Sequence, residues 1–172
     1  MKDLVRQKLS IHVEIMDLLN QQIKKEAHSS SIYLAMASWC DHNALTNSAN
    51  FFYEQSLEER EHMMKIFKFI NDNGGTAYSP EVINITHDYN SLEEIFETAL
   101  DQEIAITKSI HNIVFKCRKV QDLTSEVFLQ WFVQEQMEEE QTIRRALELF
   151  DLMDINSLGL KLLDERIPQI RK

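Results

Sequence analysis

Residues 52–69 read FYEQSLEEREHMMKIFKF, and the period of that stretch decides how the chain folds. Phe52, Gln55, Glu59, His62, Ile66 and Phe69 fall at alternating steps of three and four, the seam that a helix turns toward a bundle partner. The two ends of the seam are apolar. Its middle is Gln55, Glu59 and His62, groups that a core does not accept without compensation. Such a helix either faces solvent at that level or is built around something that balances the charge.

The rest of the chain repeats the pattern. With only 3 Gly and 2 Pro in 172 residues, against about 12 and about 9 in an average protein of that length, turns are few and regular elements long. The punctuation predicts helices over 11–39, 47–73, 91–118 and 123–150, and a short one over 156–166 that stops before Pro168. Thr46/Asn47 open the second and Asn73-Gly74-Gly75 close it; Ser91 with Glu94 forms a capping box for the third. Four helices of about 40 Å suit an all-α four-helix bundle. Short connections make the first and second helices antiparallel neighbours, and likewise the third and fourth. Residues 74–90 are the exception. Fully extended, that stretch reaches about 55 Å, enough for a long crossover between helices two and three. A hydrophobic content of 44% and the absence of a linker fit one domain over 1–172.

The other seams are Ile15, Leu19, Gln22, Glu26, Ser30, Tyr33, Ala37 in helix one; Leu92, Phe96, Ala99, Glu103, Ile106, Ile110, Cys117 in helix three; and Leu129, Phe132, Gln136, Glu139, Ile143, Ala146, Phe150 in helix four. Glu26, Glu59, Glu103 and Gln136 all stand near the midpoints of their helices, so they belong to one layer. The spacing also echoes: 33 residues separate Glu26 from Glu59 and Glu103 from Gln136, and 36 separate Glu26 from His62 and Glu103 from Glu139. Taken singly, an acid in EEREH (58–62) or EQMEEE (135–140) reads best as part of a solvated face, and a lone His62 as a hydrogen-bonded one. Four seams interrupted at one level read differently, because no lysine or arginine occupies the seam positions and buried carboxylates without counter-charge are prohibitive. A polyvalent cation supplies that charge. Four carboxylates with one imidazole make a hard, oxygen-rich donor set that suits two iron ions, with Mn or Zn also able to bind, and Glu59-x-x-His62 is the pairing found in di-iron carboxylate bundles. Tyr33, two turns from Glu26 on the same seam, is placed to supply an electron.

Four segments, KKEAHSSSIYLAMASW (24–39), EQSLEEREHM (54–63), LDQEIAITK (100–108) and FLQWFVQEQMEEEQ (128–141), resemble the bacterial non-haem ferritins over nearly the full chain. The resemblance implies a ferritin-like subunit with the long crossover and a short C-terminal fifth helix. It also implies a 24-subunit cage that oxidises Fe(II) with O2 or hydrogen peroxide, a ferroxidase, and stores ferric oxyhydroxide mineral. Carried over by motif, Glu26, Glu59 and His62 hold the first iron. Glu59 bridges to the second, held by Glu103 and Glu139 beside Gln136, and Glu58, Glu135 and Glu138 with Glu139 match a third iron site. Read on their own, those three acids fit a solvated face equally well. Tyr33 and Trp131 match family aromatics, though both also make sense as core residues, and Glu126 matches an iron entry channel. Helix four departs from the full pattern, with Gln136-x-x-Glu139 where Glu-x-x-His stands in bacterioferritin. Arg60 replaces the haem-ligating Met of that subfamily, so no haem is expected, and Met63 and Met64 read as packing. The Cys-rich domain of rubrerythrins and the basic tail of DNA-coating mini-ferritins are missing.

The remaining signals exclude rather than assign. A net charge of −10 disfavours nucleic acid and anionic membranes as partners, glycine-rich phosphate motifs are absent, and no apolar run reaches the roughly 18 residues of a span. The start MKDLVRQKLS lacks a signal-peptide core, so a cytoplasmic location is expected. Cys40 and Cys117 form no CxxC and read as reduced, buried thiols; the fold that the resemblance implies puts them at opposite ends of the bundle, too far apart for a disulfide. His12, His28, His42, His87 and His111 read as surface residues. Two other functions stay open at this point: a peroxide-scavenging di-iron enzyme without storage, and a non-catalytic helical interaction module whose acidic belt is solvated.

Overall fold

The computed structural model describes residue 5 and residues 8–170. It contains α1 (Val13–His42), α2 (Thr46–Asp72), α3 (Leu92–Val120), α4 (Leu123–Leu152), α5 (Ser157–Arg166) and a 3-10 turn at Ile167–Gln169, with no strand among the described residues. The four-helix bundle with a short fifth helix is the architecture the seams predict. Among the described residues no helix is long and apolar enough to cross a membrane.

Local chemistry sets the ends, and sometimes it differs from the sequence expectation. Helix α1 begins two residues late because His12 is its N-cap, Nδ1 accepting from Glu14 N at 3.3 Å. Its far end runs on to His42, where Asn43 returns its amide to Trp39 O at 2.8 Å. The capping box at α3 is shifted by one residue. Ser91 Oγ does accept from Glu94 N, but the Glu94 carboxylate reaches the backbone N–H of Asn90, at 2.6 Å, rather than that of Ser91. Gln121 closes α3 in the left-handed conformation, at φ 60.

Helix α2 has no side-chain cap of its own, Leu45 being its N-cap. Its first amides go instead to Asp164 on α5, which accepts from Ser48 N and Oγ at 2.8 and 2.6 Å and from Asn47 N and Nδ2 at 3.2 and 3.0 Å. Asp164 is buried and fastens α5 across the end of the bundle, while its charge complements the positive end of the α2 dipole. Gly159 is required in α5, since a Cβ there would lie 1.9 Å from Asp154 O.

The crossover takes the path that its length permits. It leaves α2 beside Asn20, whose side chain donates to Thr76 O at 3.1 Å and accepts from Tyr78 N at 2.9 Å, and it reaches α3 beside Trp39, whose indole donates to Tyr89 O at 3.0 Å. Asn20 and Trp39 are about 28 Å apart along α1 at 1.5 Å per residue. Helices α2 and α3 therefore run parallel, and α1 and α3 antiparallel.

Two apolar cores follow from this arrangement. One holds Tyr33, Met36, Phe52, Phe96, Ile143 and Phe150 under α5; the other holds Ile15, Leu19, Ile66, Ile70, Ile110 and Phe132 at the opposite end. Cys40 lies in the first and Cys117 in the second, both buried and free, and burial pushes the thiols up to about 12 and about 11. Met63 is core and Met64 packs against it, as expected. Between the two cores lies the polar belt.

Candidate metal centre

Each helix delivers its mid-height residue inward because the three-four seam keeps one face buried on both sides of it. Glu26, Gln22, Gln55, Glu59 and Glu103 are fully inaccessible, and Gln136, His62 and Glu139 nearly so. Glu26, Glu59 and His62 each present one ligand atom such that all lie within 4.8 Å of one another; His62, Glu135 and Glu139 form a second such group. His62 thus belongs to both.

The α1–α2 side is short of donors. Glu26 Oε2, both Glu59 oxygens and His62 Nδ1 are buried with no hydrogen-bond partner, and His62 Nδ1 stands 3.9 Å from Glu59 Oε1. Two carboxylates facing each other bring no hydrogen of their own, so only a shared proton or a cation can satisfy them. Burial accordingly raises the pKa of Glu26, and raises that of Glu59 further, with the charges of Glu103 and Glu26 adding to desolvation. Burial also pushes His62 down to about 4, so its imidazole is neutral at physiological pH and free to ligate.

On the α3–α4 side the acceptors are served. Tyr33 donates to Glu103 Oε1, and Gln136 Nε2 donates to Glu103 Oε2 at 2.9 Å. Glu103 still rises to about 7, chiefly through burial. Glu139 Oε2 accepts from Gln55 Nε2 at 3.0 Å, and the same amide donates to Glu58 Oε2 at 2.7 Å. Glu58, Glu135, Glu138 and Glu139, together with Arg145, line a cleft of about 380 Å³. Burial and the neighbouring acids Glu138 and Glu58 raise Glu135.

The aromatics separate. Tyr33 is fully buried and stacks on Phe52 at 5.9 Å. Trp131 is not a core residue: it is 36% exposed, sets its ring edge-on to His62 at 5.4 Å and carries Lys65 Nζ 3.5 Å above it. Glu126 sits in the first turn of α4 and pairs with Arg118 at 2.7 Å, far along the helix from the belt. Arg60 is exposed, and its guanidinium approaches Met63. His12 is a cap, His42, His87 and His111 are exposed, and His28 on α1 is half-buried rather than the surface residue expected.

No motif gives Gln22, Gln55, Ser30 or Ser56 a role, yet they touch the belt. Gln22 Nε2 donates to Glu26 Oε1 at 2.7 Å. Ser30 Oγ donates to Ser56 O and Ser56 Oγ to Ser30 O, both at 2.7 Å, pinning α1 to α2 one turn from Glu26 and Glu59. The signal for the two glutamines was available, since both are polar intruders on their seams. What a seam cannot tell is which carboxylate each amide serves.

The donor set is hard and anionic, with one neutral nitrogen, and its unpaired buried oxygens call for a polyvalent cation. Residues 16–153 match the family model described as Ferritin-like domain. The chain is 35% identical over 151 residues to the "Probable bacterial non-heme ferritin-like protein" of Haemophilus influenzae, covering 88% of this chain and 92% of that one. It is 34% identical over 157 residues to "Bacterial non-heme ferritin" of Campylobacter jejuni, covering 91% and 94%. Among solved structures, an open pore ferritin from the hyperthermophilic archaeon Archaeoglobus fulgidus superposes with a TM-score of 0.89 at 33% identity, over 92% of this chain and 96% of that one. With the family model, the relatives and the superposition in agreement over nearly the whole chain, the chain belongs to the ferritin family.

Proposed function

We propose that this protein is an iron-storage ferroxidase whose single ferritin-like domain, residues 1–172, binds Fe(II) as substrate at a two-iron centre inside the bundle. Glu26, Glu59 and His62 hold the first iron; Glu59 bridges to the second, held by Glu103 and Glu139, with Gln136 fixing Glu103. Oxidation to Fe(III) by O2 or hydrogen peroxide, with Tyr33 beside Glu103 as an electron donor, is followed by storage as ferric oxyhydroxide in a 24-subunit shell. Glu58, Glu135 and Glu138 with Glu139 form a third iron site in the open cleft. No haem, nucleic acid or membrane takes part in this reading, and the location is cytoplasmic. The observation that carries it is the group of four unpartnered buried atoms on Glu26, Glu59 and His62. A cation satisfies all of them at once, and protons satisfy only some.

The centre supplies the redox chemistry through iron; the protein supplies binding and charge balance. A neutral His62 ligates without first losing a proton, and the raised carboxyls release theirs as metal arrives. Aerobic Fe(II) titration with particle mass measured in parallel tests both halves of the proposal. Rapid oxidation by a particle of 24 subunits is expected. Oxidation by a dimer leaves the chemistry and replaces storage with peroxide scavenging, whereas absence of iron binding makes the protein an interaction module and ends the proposal.

A further inference from the structure

Glu26 is tied to an exposed lysine through a continuous chain of buried and half-buried side chains. The Lys25 ammonium, exposed on α1, donates to Ser109 Oγ on α3 at 2.6 Å. Ser109 Oγ donates to Gln22 Oε1 at 2.6 Å, and Gln22 Nε2 donates to Glu26 Oε1 at 2.7 Å. Chemistry fixes the direction of this chain. An ammonium only donates, so the serine oxygen accepts and its single hydrogen passes to Gln22. The amide oxygen of Gln22 is then occupied, which turns its NH2 toward Glu26. Every hydrogen along the chain points inward, from cation to carboxylate, and each bond polarises the next.

We propose that Gln22, Ser109 and Lys25 are positioning residues for the metal centre, acting together to hold Glu26 with Oε1 engaged and Oε2 alone left for the ion. This rests on the metal-centre reading above. Three observations support it. Gln22 is fully buried, so its amide has no water to fall back on. Glu26 Oε2 is the oxygen without a partner. The equivalent carboxylate of the second hairpin, Glu103, has both oxygens engaged, and its own chain to the surface, through Gln136, Thr107 and Glu140 to Arg144, has its hydrogens pointing outward from Gln136 to Glu140. The chain also bridges α1 and α3, so it sets the distance of Glu26 from the opposite hairpin as well as the rotamer of its carboxyl.

The test is anaerobic Zn(II) titration of the full-length assembled protein, read by calorimetry, on the parent, Ser109→Ala, Gln22→Leu and the double variant. Groups that orient a ligand cost about 10- to 100-fold in metal affinity when removed. Gln22→Leu is expected to weaken the tightest Zn(II) step by that factor, and Ser109→Ala by a smaller one, about threefold or more. The double variant is expected to bind no more weakly than Gln22→Leu alone, because Ser109 acts through Gln22. Ser109→Thr, which keeps the hydroxyl, is expected to retain parent affinity. Additive losses in the double variant, or parent affinity in Ser109→Ala, overturn the chain while leaving the centre intact. Failure of the parent to bind Zn(II), or indifference of that binding to His62→Ala, overturns the centre and the chain together. If Gln22→Leu does not fold, Ser109→Ala against Ser109→Thr decides, since Ser109 is only half-buried.

Discussion

The α1–α2 half of the belt and its α3–α4 half occupy equivalent places in two helical hairpins and meet opposite electrostatic conditions. Glu26, Glu59 and His62 converge with four buried atoms unpartnered. Glu103, their counterpart across the bundle, receives Tyr33 on one oxygen and Gln136 on the other. The difference comes from three substitutions between the halves. Gln136 stands where the first hairpin has Glu59, turning an acceptor into a donor. Tyr33 has only Ile110 opposite it, and Gln22 has only Ala99. One half is therefore held ready for a cation at a cost in apo stability, and the other is stable without one. A cation entering the belt gains most at Glu26, Glu59 and His62, where it replaces no existing hydrogen bond.

The largest consequence concerns metal affinity. Glu59→Ala or His62→Ala is expected to lower the affinity of the tightest site on the order of 100-fold, or about 2.7 kcal/mol, while Gln136→Ala changes it by far less. Zn(II) calorimetry on all three variants reads the contrast, and equal losses would mean the halves do not differ in role. Next comes the stability of the metal-free protein. Gln136→Leu takes one donor from a buried carboxylate and is expected to cost about 1–3 kcal/mol, lowering the apo melting temperature by about 2–4 °C for each kcal/mol. Glu59→Gln does the reverse. It replaces a buried carboxyl that must hold a proton to meet Glu26 with an amide that always carries hydrogens and offers Glu26 Oε2 a donor, so the apo protein at neutral pH should melt higher by about 2–4 °C, a gain on the order of 1 kcal/mol, although it binds metal poorly. An apo protein that melts lower after Glu59→Gln would show that the first half is satisfied after all.

The smallest effect is the pH dependence. Glu26, Glu59 and Glu103 hold a proton more tightly folded than unfolded, so their contribution is present at pH below the usual carboxylate range and is lost as pH rises through the folded values, about 7 for Glu103. His62, lowered to about 4, works the other way, because the unfolded imidazole takes up a proton below about 6.5 while the folded one stays neutral. Three groups oppose one. Metal-free protein should lose stability from pH 5 to pH 7.5, and Zn(II)-saturated protein should not, because the ion holds the carboxylates ionised in the folded state. Differential scanning calorimetry at the two pH values, with and without Zn(II), measures the difference.

Much of this arrangement could be read directly from the chain. The three-four seams placed Glu26, Glu59, Glu103 and Gln136 at one height, since helical rise and period are fixed by the backbone and do not depend on neighbours. Helix ends were less legible. Asp164 caps α2 from 116 residues away in sequence, and no local motif announces a partner that arrives with the last helix. Trp131 looked equally fit for core or surface, and only packing put it at the rim beside His62 and Lys65. The pairing of amides was equally out of reach. Gln22, Gln55 and Gln136 are three polar intruders of one chemical type, yet one serves Glu26, one Glu58 and Glu139, and one Glu103.

The sequence by itself determined four long helices, a crossover long enough to make two of them parallel, and a layer of acids with one Glu-x-x-His in a chain poor in glycine and proline. Periodicity and length suffice for all of that. Tertiary structure alone decided which oxygens are left without donors, because a hydrogen bond between helices depends on their rotation and offset, set by the two apolar cores together. Those same cores leave the Glu59 oxygens without donors and bring donors to both oxygens of Glu103, since each fixes how far a neighbouring helix stands from the carboxylate.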